Sequence, residues 1–406
     1  MNVPDHPPRR ARAVASAAAA VSVVALAARL WSLPVARRID FHIYAGAITS
    51  ADGGSSLYDF SFRILGLGFT YPPFASIVLW PFAHLPTAVG EHVWLMLGLA
   101  CSAWFLAVVG RELAPLVRDR WAGSALGDPV VAAAAVVAAG TWTMPVVLNA
   151  RIGQVNAMLA ALIAADVVLL RRGRAAAGVG TGIATAVKLV PGVLVPWMWF
   201  SGRRRAAVVA AATAAGATLL AWAVRPSDTV RYFTTELWAT DRVGSLDNGF
   251  NNSLRRAVEW LPFGSGVRTL TWAALCAAVL VVGYRRAVRA DRHGRLLTAV
   301  TLVMVAGYLV SPISWGHHLF FLVPAVALWC VGARRVWQWA LAAVMVVALY
   351  DPFGVGEGPV TSAVRIGVLA LLLVGLPCED AACDHVPHAP SGPRSPSPSA
   401  SPSPSR

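Results

Sequence analysis

The residue whose type and address best suit a general base is Asp40, in the run R-R-I-D-F-H-I-Y at residues 37–44. It follows directly on an apolar stretch, at the level where an amphiphilic substrate would present a hydroxyl. A base must come within hydrogen-bond reach of the proton it takes. The alternative is that Asp40 serves only as an ion-pair partner of Arg37 or Arg38. Two more acids lie nearby: Asp52 in the turn D-G-G-S-S, which reads as structural, and Asp59 in L-Y-D, which could help bind a sugar. Tyr71 follows in F-T-Y-P-P-F.

Four further strings carry polar chemistry. A-R-I-G-Q-V-N places Gln154 and Asn156 at the start of an apolar helix, where a cap or an interhelical hydrogen bond is the plainest role. A-V-K-L-V-P-G offers Lys188, a cation for a lipid phosphate or a snorkelling side chain. D-N-G-F-N-N-S-L-R-R holds Asn251, Asn252 and Arg255, residue types that suit sugar hydroxyls and phosphate oxygens. S-P-I-S-W-G-H-H places Trp315, His317 and His318 where a span ends, able to stack a sugar or meet a phosphate, or simply to sit in the interfacial belt. Two adjacent histidines are no metal site. Cys378, Cys383, His385 and His388 near the C-terminus match no common zinc spacing. No metal site and no cofactor are expected.

The elements that must position these residues are membrane helices. Hydrophobic residues make up 57% of the 406, and charged ones only 13%, against roughly a quarter in an ordinary soluble domain. The mean hydropathy is +0.61. That much apolar surface has to face lipid. Apolar runs cover residues 13–33, 88–110, 130–148, 155–170, 206–224, 267–284, 296–310, 319–331, 336–350 and 360–376. Several fall short of the roughly 17 residues a span needs, so tilted, broken or half-spanning helices are expected, within 10 to 13 membrane segments in an all-α, polytopic fold. The first run is too long for a signal-peptide core and is read as an uncleaved span. Cys101, Cys276 and Cys330 fall inside apolar runs, as small hydrophobes.

The net charge of +14 would suggest nucleic acid in a soluble protein. Here the arginines cluster between spans, the pattern of the positive-inside rule, so nucleic-acid binding is set aside. Residues 1–12, 171–174, 203–205, 285–295 and 334–335 are the expected cytoplasmic segments. Between residues 174 and 203 one apolar stretch is broken by Lys188 and Pro191. As a single span it would separate two arginine runs; as a hairpin of short helices it keeps them together and lifts Lys188 to the far side. An ionisable residue at membrane depth is a functional candidate. Residues 71–86 are either a short span or an interfacial helix, and the parity up to Arg171 depends on which. The expected division is a cytoplasmic N-terminus at 1–12, a transmembrane catalytic domain at 13–376, and a Pro/Ser-rich tail at 377–406 whose composition predicts disorder.

Taken together and in this order, D-F-H-I-Y, L-Y-D, T-Y-P-P-F, G-Q-V-N, V-K-L-V-P, N-N-S-L-R-R and S-P-I-S-W-G-H-H resemble glycosyltransferase family 87. That family comprises actinobacterial, polyprenyl-phosphate-sugar-dependent mannosyltransferases of the GT-C type. The resemblance runs over roughly residues 37–324. One departure is N-N-S-L where the family more often has N-Q-S-L, which bears on acceptor contacts at Asn252. The resemblance implies a polyprenyl-phosphate-mannose donor, a lipid-linked glycan acceptor of phosphatidylinositol mannoside or lipoglycan type, and metal-independent inverting transfer on the exoplasmic side of the cell membrane. Asp40 would be the base. His317, His318, Lys188 and Arg255 would bind the donor phosphate; Asp59, Tyr71, Gln154, Asn156, Asn251, Asn252 and Trp315 would bind sugar or acceptor. Competing readings are an arabinofuranosyl donor, a lipid or glycan transporter, for which no internal repeat is seen, and a non-catalytic scaffold of envelope assembly.

Overall fold

A computed structural model describes residues 9–32, 38–62, 66–239, 244–350 and 359–378. The expected cytoplasmic residues 1–8, Arg37, and the tail with Cys383, His385 and His388 lie outside them. The described chain is all-α apart from two antiparallel strands of two residues each. In order it runs α1 (Arg9–Trp31), α2 (Ile39–Asp52), β1 (Ser61–Phe62), β2 (Leu67–Gly68), α3 (Phe74–Ala83), α4 (Thr87–Arg120), α5 (Pro129–Gly140), α6 (Met144–Ile152), α7 (Asn156–Arg171), α8 (Val179–Val187) and α9 (Leu194–Phe200). It continues with α10 (Arg204–Val224), α11 (Pro226–Arg231), α12 (Leu254–Glu259), α13 (Ser265–Arg292), α14 (Leu296–Val310), α15 (Leu322–Gly332), α16 (Val336–Tyr350) and α17 (Pro359–Gly375).

Among the described residues four helices, α1, α4, α10 and α13, have the length and hydropathy to cross a membrane alone, and α5 with α6 makes a fifth span bent by 61°. Six shorter apolar helices of 10–17 residues accompany them. Local sequence explains the bent pair. Asp128 caps α5 by accepting from the Val130 and Val131 amides, with Pro129 at the first helical position. The polar T-W-T run interrupts the helix, and α6 stops at Gly153, whose φ of +77° a side chain would resist. Val21, Leu219 and Leu270 remain exposed on α1, α10 and α13, as expected where lipid is the solvent.

The arginine runs share one face. Arg171 joins Glu112 near the end of α4 (2.9 Å) and donates to the Gly294 carbonyl (2.8 Å). Arg203 pairs with Asp291 at 2.7 Å. Arg120 donates to the Ala333 carbonyl, Arg286 to that of Leu376, and Arg12 pairs with Asp128. Two uncertainties of parity are thereby resolved. Trp31, ending α1, packs on His92 in the second turn of α4, with ring centroids 3.9 Å apart and the planes tilted by 41°. Both helices therefore meet at the face opposite the arginines, and α2 and α3 lie between them without crossing. Likewise the 174–203 stretch leaves and returns to the arginine face, with its break at Lys188.

Asp166 sets the register of that excursion. Its buried carboxylate accepts from the amides of Gly178, Gly180 and Thr181, at 2.9, 3.3 and 2.6 Å. It thus caps α8 from the middle of α7, and Gly180 presses on the Leu162 backbone where a Cβ would sit 2.3 Å from the carbonyl oxygen. Locked there, α8 ends with Lys188 beside Asn156, the first residue of α7.

Candidate active site

The site lies on the face opposite the arginines, where α2, the loop before α3, the turn between α6 and α7, the end of α8 and the loop after α14 converge. Lys188 Nζ donates to Asn156 Oδ1 at 2.9 Å and lies 3.0 Å from His318 Nε2. Asn156 Nδ2 donates to Gln154 Oε1 at 3.2 Å, and Tyr71 donates to the same oxygen at 2.9 Å. Gln154 in turn donates through its side chain to Asp40, which Lys188 also attracts. The Tyr44 and Tyr71 hydroxyls are 3.1 Å apart. Six sequence-selected residues, Asp40, Tyr71, Gln154, Asn156, Lys188 and His318, are therefore one connected cluster.

The geometry corrects two expectations of local role. Asn156 does not cap its own helix: α7 starts without a side-chain cap, and the amide bridges Gln154 and Lys188 instead. Asp40 is not tied to Arg38, which is buried and pairs with Glu91 at 2.9 Å while donating to the Leu30 carbonyl. Arg37 lies outside the described residues.

Burial tunes the groups. It pushes the Asp40 carboxyl up to about 6, against the Gln154 hydrogen bond and the Lys188 charge that favour the anion. Burial and the Lys188 cation together hold His317 and His318 well below the ordinary imidazole range, so both rings are neutral. His317 Nε2 is buried without a hydrogen-bond partner. A narrow cavity of about 30 Å³ opens beside Lys188, His318 and Asn156 and is lined further in by Leu159, Ile163, Met304 and Phe321, so a polar mouth leads into an apolar sleeve.

The remaining selected residues are placed differently. Asn251 spends its whole amide on the 311–318 loop and its own turn: Nδ2 donates to Leu246 and Pro312 carbonyls, and Oδ1 accepts from the Ser253 and Ser314 amides. Asn252 donates to the Ser314 carbonyl at 3.0 Å, and its buried Oδ1 has no partner. These two asparagines hold the loop that presents the histidines. Half-buried Trp315 packs on Gly244, where a Cβ would come within 2.9 Å of the indole. Asp59 is outside the cluster, exposed and paired with Arg231 at 2.6 Å. Arg255 is also outside, held by Glu259 at 2.7 Å and lying over Trp272. Asp52 is structural as expected, binding His84, Trp80 and Arg225.

Sequence reasoning passed over Tyr44 and Glu91. The signal for Tyr44 was its spacing: four residues after Asp40, it shares that helical face. Glu91 was visible only as a lone acid at the head of an apolar run.

The model of glycosyltransferase family 87 matches residues 69–312, more than half of the chain. The chain belongs to that family. It is a membrane glycosyltransferase, and the cluster above is its candidate active site. The matched stretch holds Tyr71, Gln154, Asn156, Lys188 and the asparagines, while Asp40 and the histidines flank it. Among curated relatives, the chain is 32% identical over 78% of its length to 78% of a polyprenol-phosphate-mannose-dependent α-(1-2)-phosphatidylinositol pentamannoside mannosyltransferase of Mycolicibacterium smegmatis. It is 33% identical over 74% of its length to 69% of that organism's polyprenol-phosphate-mannose-dependent α-(1-2)-phosphatidylinositol mannoside mannosyltransferase. The enzyme of that same description from Mycobacterium tuberculosis is 33% identical, with 73% of this chain and 71% of the relative covered. No solved structure matches this chain. Among the described residues no group of three His, Cys, Asp or Glu side chains is placed to hold a metal ion.

Proposed function

We propose that this family 87 enzyme moves mannose from a polyprenyl-phosphate-mannose donor to a hydroxyl of a phosphatidylinositol mannoside or related lipid-linked glycan, on the exoplasmic side of the membrane. The observation that carries this reading is the junction of a carboxylate, a buried lysine and two neutral imidazoles at the mouth of an apolar sleeve. A prenyl phosphate divides in the same way, into an anionic head and a hydrocarbon tail. Lys188 and His318 face the phosphate; the apolar lining beyond them marks the path of the first isoprene units. The relatives' names support both donor and acceptor class.

The transfer is a single displacement. The acceptor hydroxyl gives its proton to Asp40 while its oxygen bonds to the anomeric carbon. The bond from that carbon to the phosphate oxygen breaks, the electron pair leaves with the phosphate, and the configuration inverts. The Lys188 cation and imidazole N–H groups of His317 and His318 stabilise the charge that develops there. Tyr71 and Gln154 hold the Asp40 carboxylate and the sugar in register. Asn251 and Asn252 act by shaping the histidine loop. The positive-inside rule puts the arginine face in the cytoplasm, so the cluster opens outside.

The test is transfer in membranes given polyprenyl-phosphate-mannose or polyprenyl-phosphate-arabinofuranose, each radiolabelled, with the product then digested by an α-1,2-mannosidase. This reading expects label from the mannosyl donor only, released by the mannosidase. Label from the arabinosyl donor alone would replace mannose as the transferred sugar. Lipid carried across vesicles without any glycosidic product would make the chain a transporter.

A further inference from the structure

Outside the cluster, Glu91 is a buried carboxylate that the reaction does not use. It lies one turn into α4 and has no exposed surface. One of its oxygens accepts from Arg38 Nη1 at 2.9 Å, and the other lies 2.7 Å from His42 Nε2, at ion-pair distance though not aligned as a hydrogen bond. Arg38 also donates to the Leu30 carbonyl in the last turn of α1, at 2.9 Å. Arg38 and His42 bracket Asp40, two residues away on either side. Two residues turn a helix by about 200°, so the face gripped by Glu91 lies opposite the face that carries Asp40. The Arg38 carbonyl accepts the His42 amide and closes the first turn of α2, yet no side chain caps that turn. The glycines on either side let it seat closely: a Cβ on Gly90 would meet the Phe41 ring at 2.9 Å, and one on Gly153 would meet Phe41 Cβ at 2.9 Å.

Packing already buries α2 through Phe41, Ile43, Tyr44, Ala47 and Ile48. An apolar contact fixes depth well and rotation poorly, whereas a carboxylate gripping two partners from one side fixes rotation. We infer that Glu91 is a positioning residue for the transfer, which holds Arg38 and His42 so that the uncapped first turn of α2 aims Asp40 at the acceptor hydroxyl. The inference rests on the reading of Asp40 as the base.

Glu91→Gln keeps the length of the side chain and removes its charge. A misplacement of about 1 Å can cost a hundredfold in rate, so turnover per donor-binding site should fall at least about tenfold, with the KM for both substrates within about threefold. A purely structural residue would lower the number of sites instead of the turnover of each. The pair removed together, Arg38→Met with Glu91→Met, fills the space without leaving a buried charge; it should fold, bind donor and turn over as slowly as Glu91→Gln. Asp40→Asn is measured alongside. If Asp40→Asn is inactive while either Glu91 variant keeps kcat within threefold of wild type, Glu91 does not position the base. If Asp40→Asn itself transfers sugar normally, the assignment of the base fails, whatever Glu91 does.

Discussion

Lys188 Nζ sits 3.0 Å from His318 Nε2, at the meeting of a helix break and a loop that are 130 residues apart in sequence. The Trp315 amide donates to the other ring nitrogen of His318 at 3.3 Å, which fixes the orientation of the imidazole. The proposed function places the donor phosphate at this pair. Lys188→Met should cut kcat/KM for the donor by at least about a hundredfold, the usual loss when a transition-state donor is removed. Lys188→Arg keeps the charge in a larger, planar group and should recover only part of the loss. Steady-state kinetics with purified protein in detergent or nanodiscs checks both.

Asp40 is ionised only above its raised value of about 6. The rate should therefore fall tenfold per unit below about pH 6, as the base becomes protonated. The plot of log kcat/KM against pH measures this directly. An acid limb centred near 4 would mean that the working carboxylate is an unperturbed one.

The same shift has a consequence for stability. A carboxyl whose folded-state value lies above its unfolded value costs the fold nothing below about pH 4 and its full penalty above about pH 6. Asp40→Asn removes that penalty. At pH 7 the variant should be more stable than wild type by on the order of 1–2 kcal/mol, after allowing for partial solvation, and the advantage should vanish near pH 4. Thermal unfolding at the two pH values reads the difference.

Asp59 and Arg255 give the contrasting case. Each carries the residue type the chemistry wants, and each is committed to an ion pair: Asp59 with Arg231 and Arg255 with Glu259. Asp59→Asn and Arg255→Gln should leave kcat/KM within about fivefold, and the exposed Asp59 pair should contribute little to stability. A loss as deep as that of Asp40→Asn at either position would move the site toward it.

Orientation is checked by cysteine labelling. A cysteine placed at Ser265, where α13 begins, should react with an impermeant maleimide from outside the cell. One placed at Arg292, on the arginine face, should react only after permeabilisation. Both reacting from the same side would contradict the assigned orientation.

Much of this was legible in the sequence because membrane proteins write their constraints locally. Apolar length gave the helices, arginine runs gave the shared face, and an intramembrane lysine beside a proline marked the break at Lys188. The ordered strings placed six of the selected residues in one cluster. What could not be read was any choice between partners distant in sequence. Arg38 beside Asp40 looks like its counter-ion, and only the approach of α4 hands it to Glu91. The parity of the N-terminal third was equally hidden, since the ten residues of α3 are apolar enough to resemble half a span. The contact of Trp31 with His92 decides it, and no periodicity announces that contact.

The measurement that bears most directly on the account is transfer from polyprenyl-phosphate [14C]mannose to phosphatidylinositol mannosides by purified wild-type protein and Asp40→Asn, at equal donor occupancy and pH 7.5. The account predicts an α-linked product from wild type and a rate at least about a hundredfold lower from Asp40→Asn, the scale expected for loss of a general base. Equal rates from the two proteins, or no mannosylated product from wild type, would contradict it.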